Sequence, residues 1–193
     1  MKRLFTILAL SAIIALPVSA QDRPSNEIAF SYGVVTPIQM GMVLTSAMFE
    51  SFSAGGWTLE NVSMTGSISA EYFHNFNDHI GIGLIGSFES FMADAFIDSD
   101  PCGTFGERAI SVLPAVKFNW IDREHFSMYS KAAAGLTLII APEDDLSEAV
   151  TSPSFGFQAS VLGFEFGSRT FRGFIEGGMG MQGMALAGLR FAL

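Results

Sequence analysis

Cysteine is almost missing from this chain. Cys102 is the only one in 193 residues, so no internal disulfide can close, and an incidental loop thiol is a simpler reading than a nucleophile. Basic residues are scarce too: 10 Lys and Arg stand against 19 Asp and Glu, a formal charge of −9, and Lys2 and Arg3 sit at the extreme N-terminus. That balance argues against nucleic acid as a partner, because phosphate binding draws on basic surface. The three histidines, His74, His79 and His125, match no metal-ligand spacing, and neither a metal nor a cofactor is expected. Past the N-terminal twenty residues, no apolar run reaches the roughly 18 residues of a transmembrane helix. Yet the mean hydropathy is +0.39. A chain this apolar without such a run must spread its apolar residues over alternate positions.

The first twenty residues read as a secretory signal: Lys2 and Arg3, an apolar run from Leu4 to Leu16, and Val18-Ser19-Ala20 as a cleavage site. Residues 21–193 are then one domain. They contain eight stretches of two-residue alternation, expected near 27–34, 62–75, 80–91, 108–120, 126–139, 155–167, 171–181 and 184–193. In the sixth, Phe155, Phe157, Ala159 and Val161 share one phase while Phe164 and Phe166 need the other, which calls for a β-bulge between Val161 and Gly163.

The connectors alternate in length. Residues 75–79, 121–125 and 168–172 are short; 35–61, 92–107 and 142–153 are long; only Gln182-Gly183 breaks the rhythm. This predicts an all-β fold, an eight-stranded antiparallel up-and-down transmembrane β-barrel with periplasmic termini and external long loops. Ten residues at ~3.3 Å, tilted near 45°, rise roughly 23 Å, close to the lipid-facing band of such barrels. A soluble barrel would alternate as well. Its outer face, however, would be rich in Lys, Glu and Thr, whereas here the polar phase is mostly Ser, Gly and Ala, and 10 of the 19 acids fall in the three long loops. Within the first long loop, residues 38–52 admit a short helix at the barrel mouth or in the outer interface, or an irregular loop.

Glu71, Lys117, Lys131, Glu165, Glu176 and Arg190 all fall a few residues from a short turn or the C-terminus, on the polar phase. They are expected to form a balanced charge network in a side-chain-filled lumen, with Tyr129, Asn119 and Gln158 as hydrogen-bond partners. An ion path through that network is the alternative, a narrow pore. Aromatic residues band near strand ends: Tyr72, Phe76, Trp120, Phe126, Phe164, Phe166, Phe171 and Phe191 at the short-turn level, and Tyr32, Phe88, Phe91, Phe155 and Phe157 toward the other, as two interfacial girdles. Gly81-Ile82-Gly83-Leu84-Ile85-Gly86 spells a dinucleotide fingerprint but lies inside a strand, where glycine gives room for lumen side chains. Asp94, Asp98, Asp100 and Glu107, then Glu143, Asp144, Asp145 and Glu148, are acidic loop clusters that suit solvation or divalent cations.

Ser69-Ala70-Glu71-Tyr72-Phe73, Pro114-Ala115-Val116-Lys117-Phe118-Asn119-Trp120 and Tyr129-Ser130-Lys131 resemble the small outer-membrane β-barrel proteins, the OmpA/OmpX-like superfamily, over essentially the whole of residues 21–193. The final strand resembles that family's assembly signal at Gly188, Phe191 and Leu193, but Leu186 stands where a polar residue is usual and the last residue is Leu rather than Phe. The resemblance implies a Gram-negative outer-membrane location, insertion by the barrel-assembly machinery and no catalytic residues. The expected function is therefore non-enzymatic: a monomeric barrel contacting outer-membrane lipids and lipopolysaccharide, with acidic external loops in a structural, adhesive or surface-interaction role. His125-Phe126-Ser127 also resembles the H-x-S element of outer-membrane lipid A deacylases, which leaves a hydrolase using His125 and Ser127 as the alternative.

Overall fold

The computed structural model describes residues 25–52, 57–97, 100–141 and 150–193. The expected leader lies outside them. The described elements run β1 (Asn26–Val34), α1 (Pro37–Phe52), β2 (Trp57–Met64), β3 (Ser67–Asn75), β4 (Ile80–Ile97), β5 (Asp100–Asp122), β6 (Phe126–Ala141), β7 (Val150–Gly167), β8 (Phe171–Gly180) and β9 (Ala185–Ala192). Every pairing is antiparallel, β1 closes onto β9, and β2 and β3 both pair with β4, so these two are halves of one stave. The result is a closed, eight-stranded up-and-down barrel. Closure removes the sheet edges that an open strand array would leave unpaired.

The expected single strand over 62–75 is corrected by this break. At Thr65–Gly66 the chain leaves the ladder: the Thr65 amide donates to Ser90 O at 3.0 Å, and the Thr65 hydroxyl accepts from the Ser90 amide at 2.9 Å. Gly66 adopts φ 70° beside the Tyr32 ring, where a Cβ would come within 2.6 Å of it. A kink there re-aims β2 away from β1, which ends at Val34.

The bulge in β7 lies where the phase change demands it. Lys131 faces Ser160 and Tyr129 faces Gly163, so Val161 and Leu162 both turn outward. The interrupted ladder frees the Val161 carbonyl, and Ser130 Oγ donates to it at 2.6 Å while accepting from Trp120 Nε1 at 2.8 Å. This chain satisfies three polar groups on an otherwise apolar exterior.

The expected loop 92–107 is strand at every described residue, and the end of the expected loop 142–153 is strand from Val150 on. β4 and β5 stay paired up to Ile97 and Asp100, and β6 and β7 up to Ala141 and Val150. Phe91, Ala93 and Ala95 continue the inward phase of Ile85, Ser87 and Glu89, so the alternation persists beneath residues whose charge suggests a loop. The barrel is consequently lopsided: β4–β7 are tall, while β1, β3, β8 and β9 are short.

The first long connector holds a helix, α1, over Pro37–Phe52. Thr36 starts α1 with a reciprocal cap: the Gln39 amide donates to Thr36 Oγ1 at 3.1 Å, and Gln39 Oε1 accepts from the amides of Val35 at 2.9 Å and Thr36 at 3.2 Å. Pro37 fills the first helical position, where no amide donor is needed. Val35, at φ 61°, pays for the sharp entry with a conformation that a β-branched residue rarely adopts.

The core is inverted relative to a water-soluble barrel. Phe155 and Val161 are 68% and 74% exposed, and Ile80, Ile82, Leu84 and Phe88 on β4 all face out. Glu71, Lys117, Lys131, Glu165, Glu176 and Arg190 are all buried.

Candidate functional site

Hereafter the "turn end" carries the connectors 76–79, 123–125 and 168–170, and the "loop end" carries α1 and the β8–β9 turn. Inward positions alternate along each strand, and they sort the lumen into two halves. Ile85, Leu113, Ala115 and Ala133, with Phe73, form an apolar cluster on β3–β6. Opposite them, β1, β3 and β6–β9 supply most of the ions.

The six expected charges are brought together. Lys131 Nζ bonds Glu71 at 2.5 Å and Glu176 at 2.9 Å. Arg190 reaches Glu71 at 3.2 Å and also contacts Glu165 directly. Lys117 pairs with Glu27, which Arg190 approaches at 3.7 Å. Glu27 and Arg172 are members that the sequence reading missed. Arg172 bridges Glu165 at 3.2 Å and Asp122 at 2.9 Å near the turn end. Both lie on the inward phase, opposite Ile28 and Phe171, so strict alternation carried the signal. Four acids (Glu27, Glu71, Glu165 and Glu176) thus face four bases (Lys117, Lys131, Arg172 and Arg190), with Asp122 at the rim. A buried ion pair stands only when each charge is matched; removing one partner costs about 3–5 kcal/mol.

Of the three expected hydrogen-bond partners, Tyr129 alone serves the ions, donating to Glu176 Oε1 at 2.5 Å. Gln158 is spent on the loop-end turn, as described below. The Asn119 carboxamide is buried with neither its Nδ2 nor its Oδ1 hydrogen-bonded, and the network does not extend to it.

Aromatic rings separate the cations. Lys117 Nζ lies 5.1 Å from the Phe73 ring centre and 5.5 Å from that of Tyr129; the Arg190 guanidinium lies 4.9 Å from Tyr129 and 4.8 Å from Phe174. The order Phe73, Lys117, Tyr129, Arg190, Phe174 alternates ring and cation across the lumen. In a desolvated setting each such contact is worth up to about 2 kcal/mol. Each ring is admitted by a glycine directly across the ladder: Phe73 opposite Gly83, Tyr129 opposite Gly163 and Phe174 opposite Gly188. A Cβ at those glycines would stand 2.5–2.6 Å from the ring. Gly83, from the dinucleotide-like run, and Gly188, from the expected assembly signal, both have this packing role.

The loop end is closed by two segments. The β8–β9 turn dips inward: Ser67 Oγ donates to Met181 O at 2.8 Å, the Gln182 amide to Gln158 Oε1 at 2.9 Å, and Gln182 Nε2 to Glu71 Oε1 at 2.8 Å. Above it, Thr36 Oγ1 donates to Glu89 Oε2 at 2.7 Å, and Ile38 packs on the apolar cluster. Next to Ile38, Glu89 and Glu107, a cavity of about 10 Å³ remains, room for one water. Another of about 10 Å³ lies at the turn end among Glu27, Glu165, Arg172 and Arg190.

The remaining expected residues are dispersed. His125 Nδ1 contacts Gly167 O at 3.1 Å on the exposed rim, whereas the buried Ser127 hydroxyl donates to Asp122 and accepts from Arg172. His74 contacts Asn26 and His79 contacts Asn119 O, and among the described residues no group of three or more His, Cys, Asp or Glu is placed to hold a metal. Asp94 faces out and accepts from Asn61 at 2.9 Å. Asp98, Glu143, Asp144, Asp145 and Glu148 lie outside the described residues. Tyr72, Trp120 and Phe166 are exposed on the exterior near the turn end; Phe126 is half-buried, 5.3 Å from the Phe166 ring. Phe171 packs similarly on Phe191 at 5.1 Å, and Leu193 is exposed beyond β9. Phe91 corrects the outer band: the unbroken phase of β4 turns it into the lumen, 6% exposed. No family model and no curated protein matches the chain.

Proposed function

We propose that the protein is a non-enzymatic bacterial outer-membrane barrel, inserted by the barrel-assembly machinery in the manner of the OmpA/OmpX-like proteins it resembles. Its exterior meets lipid and lipopolysaccharide, its termini are periplasmic, and its loop end has a structural, adhesive or surface-interaction role. The observation that carries this reading is the inversion of the two faces. Phe, Leu, Ile and Val point outward on every stave while four acids and four bases are matched inside. In water that arrangement would expose the apolar face and bury the solvated one, at a cost on both counts. In a bilayer both faces are in their preferred surroundings.

The loop end supports a surface role by its shape. The tall hairpins β4–β5 and β6–β7 rise beyond the short strands, and β2 borders the taller wall with its second edge unpaired by any described strand. A filled lumen and a Ser127 hydroxyl committed to Asp122 and Arg172 support neither transport nor hydrolysis.

Epitope insertion tests the reading. A tag placed between residues 142 and 149 is expected to bind antibody on intact cells, and one placed after Asp78 only after the outer membrane is permeabilised. The protein should also stay with membranes through an alkaline wash. A freely soluble monomer, or the opposite labelling pattern, would overturn the proposal.

A further inference from the structure

We infer that helix α1 is a lipid-facing part of the barrel exterior, its exposed apolar side seated in the outer-leaflet interface above β9 and β1. This deepens the proposed function and rests on its membrane reading. The argument begins from a shortfall in height. β9 and β1 have 8 and 9 residues. At ~3.3 Å per residue and a tilt near 40°, eight residues rise about 20 Å, against a lipid-facing band of about 25 Å. The tall staves β4–β7, of 16 to 23 residues, have no such deficit.

The helix begins where the short strands stop. Phe30, Tyr32 and Val34 line the exterior of β1, Val35 is exposed at the junction, and Met40, Val43, Leu44 and Met48 follow on α1, exposed by 51–63%. The apolar exterior is therefore continuous from strand to helix. Met40, Leu44 and Met48 are spaced by four and share one side with Val43. The opposite side is committed to protein: Ile38 packs on the lumen cluster, and α1 lies along β2.

Composition selects lipid rather than water for the exposed side. Glu50, in the last turn, is the single charged residue of α1, whereas a water-facing helix carries charges along its exposed side. The orientation is fixed at the base: Gln39 holds the amides of Val35 and Thr36, and the Met184 amide donates to Val34 O at 2.9 Å and Val35 O at 3.2 Å. Strain at Val35, φ 61°, is the cost of turning the chain onto this path.

Spin-label accessibility tests the inference on the full-length chain in phosphatidylcholine vesicles. A nitroxide is attached to Leu44→Cys in a Cys102→Ser background, with Leu84→Cys on the β4 exterior and Glu124→Cys at the exposed turn as references. Collisions with oxygen are compared with collisions with a water-soluble nickel chelate. The Leu44 label should group with Leu84, and a Met40→Cys label should agree, which guards against a local disturbance at one site. If Leu84 behaves as lipid-exposed but Leu44 and Met40 group with Glu124, the inference falls while the membrane barrel stands. If Leu84 itself groups with Glu124, the membrane reading falls and the inference with it. Low accessibility of Leu44 to both reagents, with dipolar broadening between labels, would mean that a second copy covers the helix, and would also overturn it.

Discussion

The exterior and the lumen are built by the same strands, one residue apart, yet they obey opposite rules. On β4, Leu84 points out and Ile85 points in; on β3, Tyr72 points out and Glu71 points in. Outside, the exposed side chains have few fixed neighbours, so on the proposed membrane reading any apolar side chain of reasonable size is acceptable, because lipid adapts its shape. Inside, every side chain has fixed neighbours, and the charges must balance among them. Tolerance should therefore differ sharply between adjacent residues of one strand.

The largest effect is expected at Glu71, which holds Lys131, Arg190 and Gln182 at once. Glu71→Leu leaves two buried cations short of an anion and should cost about 3–5 kcal/mol or more in urea unfolding from vesicles. Adding Lys131→Met restores the charge balance and should recover part of that loss. A double variant no better than the single one would show that the network is not limited by charge matching. Next comes the exterior. Leu84→Arg should cost about 2–4 kcal/mol if this position sits mid-bilayer. On a water-facing wall the same change would be close to neutral, so one measurement decides which solvent the exterior meets.

Tyr129→Phe keeps the ring between Lys117 and Arg190 but deletes the donor to Glu176. A hydrogen bond to a charged group is worth about 1.5–3 kcal/mol, and that is the loss expected in the same titration. An unchanged midpoint would mean that Lys131 alone satisfies Glu176. The smallest effect is predicted at Thr36→Ala, which removes the α1 cap and the donor to Glu89. It should cost about 1 kcal/mol and should accelerate amide hydrogen exchange in α1 without affecting β8 or β9. Equal acceleration in the short strands would show that the helix and the barrel exterior unfold as one unit.

Period-two alternation made the eight staves, their inward charges and the β7 bulge legible, because a strand's two faces are set by parity alone. Glu27 and Arg172 obey the same parity and were overlooked because they sit next to strand ends, where charge is commonplace. A helix over 38–52 was one of two readings of the first long loop, and its capped start at Thr36-Pro37 was not among the signals used. Other features had no local signature. The continued pairing of β4 with β5 was hidden beneath Asp94 and Glu107, whose charge imitates a loop. The kink at Thr65–Gly66 depends on the Tyr32 ring, which lies more than thirty residues earlier in the chain.

What the sequence determined alone is which residues share a face, since alternation is a property of adjacent positions and needs no knowledge of neighbours in space. The tertiary structure decided which of those inward residues meet. Phe73, Lys117, Tyr129, Arg190 and Phe174 come from five different strands and stack only because closure brings those strands around one narrow axis. The inward fold of Met181-Gln182 onto Ser67 and Gln158 is likewise a choice of the closed barrel, made because buried amides and carbonyls there have no water to bond and must find each other.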